Sequence, residues 1–241
     1  MKRNLFLAGL ITLFLTSCSY FGGKRVSGNG NIVSQNRTAG SFSSVDVSGA
    51  IDVYIKQDSS QSIRVETDEN LQELVEVYEQ NGRLYISPRD NFNLNPSNKS
   101  VKVYVSSPQI HSLEVSGASN VFGENRISST ESFDIDISGA SEVKIDLNAP
   151  RVDVDLSGAS ELHIAGETRD FNVEGSGASG VKGFDLKTEN TSIDISGACS
   201  AEVFASVKAD IRASGASSVK YRGNAAVTQD MSGASSVKKV D

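Results

Sequence analysis

Seven carboxylates recur at one fixed offset in this chain. Asp46, Glu114, Asp136, Asp155, Glu174, Asp194 and Asp230 each stand two residues before a Ser-Gly-Ala triplet, and Arg212 fills that position before an eighth. Carboxylates in such number have three uses. A pair can do acid–base work on a glycosidic bond. A cluster of oxygens can hold a hard cation. Spread over a surface, they hydrate it or meet a partner. An acid in every repeat gives no reason to single out one pair, and the Gly-Gly-x-Gly-x-Asp calcium repeat is absent. The plain reading is a solvated outer stripe that discourages strand-to-strand association. The alternative is a stripe that binds a cation or a partner.

Other chemistry-bearing residues are sparse. His111 and His163 have no second His or Cys nearby in sequence. Cys199 takes a position where six of the other triplets have Ser three residues on, with no basic neighbour to activate it, so a quiet, partly buried thiol is expected. The triplet lacks the Gly-x-Ser-x-Gly elbow of a nucleophilic serine. No catalytic residue, metal or cofactor is therefore expected, and the chain reads as non-enzymatic. A net charge of −7 and a pI near 5.0 argue against nucleic-acid binding. Four of the six tyrosines, Tyr54, Tyr78, Tyr85 and Tyr104, fall between residues 28 and 110. They read as packing residues, with a sugar-stacking platform as the alternative.

The second cysteine has a different context. Lys2 and Arg3 precede an apolar run from Leu5 to Leu15, which is too short to span a bilayer and has the form of a signal-peptide core. It ends in Leu15-Thr16-Ser17-Cys18, which resembles a bacterial lipobox. Cys18 is then the acylated first residue of the mature chain, with residues 1–17 removed and 18–27 a lipidated tether. Acyl chains contribute about 0.8 kcal/mol per buried methylene, so several chains anchor stably. Removing Lys2 and Arg3 leaves 21 basic against 30 acidic side chains, a net charge of −9. With no Asp after Cys18, sorting to the outer membrane is expected, facing the periplasm or the surface.

The elements that must carry these residues follow from the repeat. Seven of the triplets, from Ser116 to Ser232, are spaced 22, 19, 19, 20, 18 and 18 residues apart. Each follows an alternating run such as Ile135-Asp136-Ile137, with aliphatics on one face and acids on the other. Gly permits a sharp corner, and a second alternating run then resumes. One such unit cannot bury its apolar face, but a stack can. The period suits a single-stranded parallel β-helix of 18–22 residues per coil, right-handed by the general crossover preference. Residues 28–241 are read as one all-β domain, with irregular coils over 28–110 and regular ones over 111–241. The 68 residues from Ser48 to Ser116 leave room for about three degenerate coils. Asn81-Gly82 marks a hairpin, Leu71, Leu74 and Val75 show a short helical spacing, and Asp90–Ser100 reads as a surface loop.

Three stretches resemble the putative auto-transporter adhesin, head GIN domain family: Gly28-Asn29-Gly30-Asn31-Ile32-Val33, Phe42-x-x-Val45-Asp46-Val47-Ser48-Gly49-Ala50, and Asp68-Glu69-Asn70-Leu71. Leu113-Glu114-Val115-Ser116-Gly117-Ala118-Ser119 is similar to it as well. The resemblance implies a secreted or lipid-anchored β-helical protein and carries no catalytic or binding residues with it. The function expected is a cell-envelope lipoprotein, an adhesin or structural binding module with a glycan or protein ligand. The alternatives are a carbohydrate-active β-helical enzyme or polysaccharide-binding protein, and a scaffold that assembles with copies of itself through its open end.

Overall fold

The computed structural model describes residues 23–241. The chain opens with β1 (Lys24–Ser27), β2 (Ile32–Arg37), β3 (Ser44–Val47), β4 (Ile51–Gln57) and β5 (Ser62–Asp68). A 3-10 turn (Glu69–Leu74) leads to β6 (Val75–Gln80), β7 (Arg83–Pro88), β8 (Phe92–Asn95) and β9 (Val101–Ser107). The regular part comprises β10 (Ser112–Val115), β11 (Asn120–Gly123), β12 (Ile127–Ser128), β13 (Phe133–Ile137), β14 (Glu142–Leu156), β15 (Glu161–Gly175) and β16 (Gly180–Ile195). It finishes with β17 (Ser200–Phe204), β18 (Lys208–Ala213), β19 (Ser218–Arg222), β20 (Ala226–Met231) and β21 (Ser236–Lys239).

The triplets stand in single file. The N–H of Ala118 donates to the carbonyl of Gly49, that of Ala140 to Gly117, and so on to Ala234 and Gly215, at 2.7–2.8 Å. Glycine is required at the corner for two reasons. Gly158 has φ +77°, and a Cβ there would lie 2.5 Å from the carbonyl oxygen of Gly139. Strands before and after each corner pair in parallel with their counterparts one rung away, as in Ile135↔Val154 and Val121↔Val143. Alternation sends Val45, Leu113, Ile135, Val154 and Ile193 inward on one face and Val53, Val121, Val143, Leu162 and Val181 inward on the other. Phe133 and Phe171 are fully buried between them.

The uneven spacing has local causes. In β14 to β16 one strand runs around a bend through 15 or 16 residues. The 20-residue rung carries a bulge, where the register of β15 on β16 shifts between His163 and Ala165.

The interval from Ser48 to Ser116 does not hold three coils. Glu114 pairs directly with Asp46, so those two rungs are neighbours. The residues between them form one further parallel rung, β7 on β3 and β9 on β4. The rest closes the end of the stack with antiparallel pairs: β2 on β5, β5 on β9, β6 on β7. The physical reason is the exposed rung. A parallel edge leaves an open core and a row of unpaired backbone groups, and antiparallel strands with the 3-10 turn cover both. Leu71 of that turn is fully buried, and the Gln72 amide donates to the carbonyls of Val33 and Val65. The Asn81-Gly82 turn has positive φ at both residues, 54° and 77°, as a tight hairpin needs. The tether is shorter than expected, since Lys24–Ser27 forms β1 and pairs with β8, inside the stretch expected to be loop.

Candidate binding face and end cap

The acidic stripe is real as geometry. Register places Asp46, Glu114, Asp136, Asp155, Glu174 and Asp194 side by side in successive rungs, followed by Arg212 and Asp230. Beside them run the hydroxyl-bearing Ser138, Ser157 and Ser176 of the triplets. Together they line an open trough of about 620 Å³ spanning Glu114 to Asp194. Like charges at about 4.8 Å rung spacing disfavour full ionisation. Burial, then Asp155 and Glu114, pushes the Asp136 carboxyl above its ordinary value. Burial and Glu114 do the same to Asp46, against the pull of Arg83. Arg83 sits 3.9 Å from Asp46 and also pairs with Glu114, and Arg212 lies 3.8 Å from Asp194 at the other end. Each end of the stripe is therefore partly neutralised, and its middle is not. Among the described residues, no group of three or more His, Cys, Asp or Glu has the arrangement of a metal centre.

The strands that follow the corner carry an aromatic ladder. Tyr104 stacks on Tyr54 with ring centroids 5.0 Å apart, Phe122 follows at 5.4 Å, and the Arg64 guanidinium covers Tyr104 at 4.1 Å. These rings spend their faces on one another and on Arg64, whereas a sugar platform needs a free face. Tyr78 and Tyr85 likewise stack on each other at 5.1 Å. His163 lies between Glu142 (3.6 Å) and Glu161 (3.4 Å), and Lys182 also pairs with Glu161.

The corner serines vary from rung to rung: the buried hydroxyls of Ser119, Ser141 and Ser160 have no hydrogen-bond partner among the described residues, and Ser179 pairs with Cys199 of the next rung (3.3 Å). Ser217 donates to the carbonyl of Ser214 (2.8 Å) and Ser235 to that of Ser232 (2.9 Å). Cys199 is a free, buried thiol that makes the same bond to Ser196 at 3.0 Å. Cys18 lies outside the described residues.

One cluster went unread in the sequence. Asp68 is fully buried at the capped end. Its carboxylate accepts the N–H of Gly30 (2.7 Å), the N–H of Ser97 (2.8 Å) and the Ser97 hydroxyl (2.6 Å). Burial would raise this carboxyl, yet the bonds from Ser97 and Gly30 outweigh it and hold it below the ordinary range. Gly28 packs so closely that a Cβ would fall 2.1 Å from the carboxylate. Asn29 donates its N–H to the Asn70 side chain, which in turn donates to the carbonyl of Ser27, both at 2.9 Å. Two separated stretches of the resemblance, Gly28–Asn31 and Asp68–Asn70, thus meet in one lock. In the sequence Asp68 sits in the polar phase of β5 with Ser62, Arg64 and Glu66, so the alternation does not mark it; its burial comes from a glycine-rich turn 38 residues away.

The family model for the putative auto-transporter adhesin, head GIN domain, matches residues 41–225. The chain belongs to that family. Among solved structures, this head GIN chain is similar to a putative adhesin from Bacteroides fragilis, at 18% identity and a TM-score of 0.82, over 89% of this chain and 100% of that one. It is similar to a putative lipid binding protein from Parabacteroides distasonis at 19% identity and a TM-score of 0.71, over 90% and 100%. A putative adhesin from Parabacteroides merdae gives 18% identity and a TM-score of 0.68, over 90% and 100%. At these identities the likeness is one of fold. No curated protein matches the chain. The family description is that of a cell-envelope or surface protein with an adhesin-like role.

At the other end of this head GIN chain, the last rung places Gln229 and Lys239 at core-facing register positions, opposite Ile211 and Tyr221. An inward-pointing charge on an edge strand is a device against edge-to-edge pairing.

Proposed function

We propose that this protein is a non-enzymatic, lipid-anchored envelope module of the adhesin type. Acylated Cys18 holds it in the outer membrane, and the stripe from Glu114 to Asp194 contacts a protein or glycan partner. The observation that carries the reading is repetition. The trough offers a carboxylate in five successive rungs and a triplet serine in four of them. A catalytic centre needs one acid and one base in distinct environments, while a partner that lies along a surface needs a periodic one. A basic protein segment, or a glycan bearing amino groups, fits its sign.

The test is a glycan and protein array probed with the soluble fragment 23–241 and with a variant carrying Asp136→Asn, Asp155→Asn and Glu174→Gln. Binding by the parent that drops at least tenfold in the variant supports the reading. Equal binding by both removes the stripe, and turnover of any polysaccharide by the parent overturns the non-enzymatic reading. Radiolabelled palmitate incorporated into the full chain and lost in Cys18→Ser tests the anchor separately.

A further inference from the structure

We infer a second binding site, for a neutral sugar residue of a glycan, on the strands that follow the corner, with Phe184 as its stacking face. It stands apart from the acidic trough, which lies on the strands before the corner, and does not depend on it. The site begins with a fault in the stack. His163 pairs with Lys182 but Ala165 pairs with Asp185, so Gly183 and Phe184 together face Ile164. A bulge of this kind re-aims a side chain. Gly183 turns into the core, while Phe184 and Asp185 both face outward. Phe133 and Phe171 are fully buried, whereas Phe184 is only partly so. The ladder also stops on the next side, where β16 pairs with β17 no further than Lys182↔Glu202. The position held by Ala165 carries Asp146 in the rung before and Asp185 in the rung after. Its short side chain leaves a groove of about 450 Å³ beside the ring, floored by Ile145 and Ile164. That size is within the range of small-ligand sites.

The ring has one face to offer. The Arg222 guanidinium covers Phe184 at 4.2 Å, reaching it from β19, two rungs towards the C-terminus. The groove extends the other way, through the rungs of β15 and β14 to Gly123. Among the described residues no aromatic ring stacks on Phe184. The C–H groups of a pyranose are slightly positive and fit the negative face of an aromatic ring. Charge then selects the ligand. The rim carries Lys144, His163, Lys182, Asp146, Asp185 and Glu202. Arg126 engages Asp146, Glu161 engages Lys182 and Lys220 engages Glu202, while His163 lies beside Glu142 and Glu161. With Arg222 over the ring, five permanent cations balance five carboxylates. Of the rim groups, Lys144 and Asp185 make no ion pair among the described residues. They stand two rungs apart, about 10 Å along the stack. An anion drawn to Lys144 meets Asp185, and a cation drawn to Asp185 meets Lys144. Sugar hydroxyls both donate and accept, so a neutral glycan lying over the ring serves both.

The experiment titrates the full chain, in a detergent without a sugar headgroup, with neutral tetrasaccharides of glucose, mannose and N-acetylglucosamine. Tetragalacturonate and the tetramer of glucosamine serve as the anionic and cationic probes, and calorimetry gives the affinities. Binding of at least one neutral tetrasaccharide is expected, weakened at least tenfold by Phe184→Ala and kept within about threefold by Phe184→Tyr. Ala165→Gln fills the groove at a position where the neighbouring rungs already carry aspartate, so it should fold as the parent does and weaken binding as strongly. It decides the matter should Phe184→Ala fail to fold. The variant carrying Asp136→Asn, Asp155→Asn and Glu174→Gln should bind these neutral sugars as the parent does. No binding of any neutral tetrasaccharide, tighter binding of either charged one, or parent-like binding by Ala165→Gln overturns the site. Binding lost in the stripe variant and kept in Phe184→Ala moves the glycan to the trough and overturns it equally.

Discussion

Removing the Asp68 carboxylate should unfasten the closed end. Asp68→Asn keeps the shape and keeps one oxygen for the Gly30 N–H and the Ser97 hydroxyl. The other position becomes an amide facing the Ser97 N–H, which now donates at 2.8 Å to a carboxylate oxygen. One charge-assisted bond is lost and two donors oppose each other, a cost of about 1.5–3 kcal/mol. Asp68→Ala strands the N–H groups of both Gly30 and Ser97, and about 3–5 kcal/mol is expected. The pH dependence has a fixed sign. Folding holds this carboxyl below its unfolded value of about 3.9, so its contribution is complete above that value and is lost as pH falls through the folded pKa. The wild-type minus Asp68→Asn stability difference should thus be flat from pH 7 to about 5 and shrink below about pH 4. Urea unfolding at a series of pH values measures the difference, and hydrogen exchange of β2 and β5 localises it to the cap. A variant as stable as wild type at pH 7, or a difference that grows as acid is added, would refute the lock.

The stripe should behave in the opposite sense. The Asp136 carboxyl is raised, chiefly by burial and then by Asp155, so its ionised form opposes folding at neutral pH. Asp136→Asn should gain up to about 1 kcal/mol at pH 7 and low salt, fading with added salt or at acid pH, in the same urea assay. Gly158→Ala should cost at least about 2 kcal/mol, from positive φ and the clash with the Gly139 carbonyl, and thermal unfolding will report it. Replacing Lys239 and Gln229 together by Val should raise the association state above that of the parent in light scattering; a variant whose mass equals the parent's at high concentration would show that Lys239 does not guard this edge.

Legibility in this chain tracked repetition. The triplets, the alternating strands and the acidic register could be read because each rung repeats the same constraint, and errors in one are corrected by the next. The bulge opposite Ile164 was visible as a single extra residue in one spacing. The interval after Ser48 was misread because its strands alternate just as the coil strands do. Alternation fixes which face of a strand is buried but not whether its neighbour runs parallel or antiparallel. Ser62–Asp68 and Val101–Ser107 would suit either role, and only the need to close an open core decides between them.

The same distinction separates the two acid sites. An acid on the outer face, such as Asp155, obeys the alternation and therefore says nothing about its task. Asp68 breaks the alternation of burial, though not that of the sequence, because Thr67 and Asp68 are both buried at the end of β5. A carboxylate at a core position must have donors waiting, since burying it unpaired would cost several kcal/mol. In this chain those donors come from a glycine turn and from the loop after β8, 38 and 29 residues away. The departure from pattern marks where a residue is needed for the fold. In a stripe that obeys its pattern throughout, the partner has to be sought along the surface as a whole, and measured by removing several rungs' charges at once.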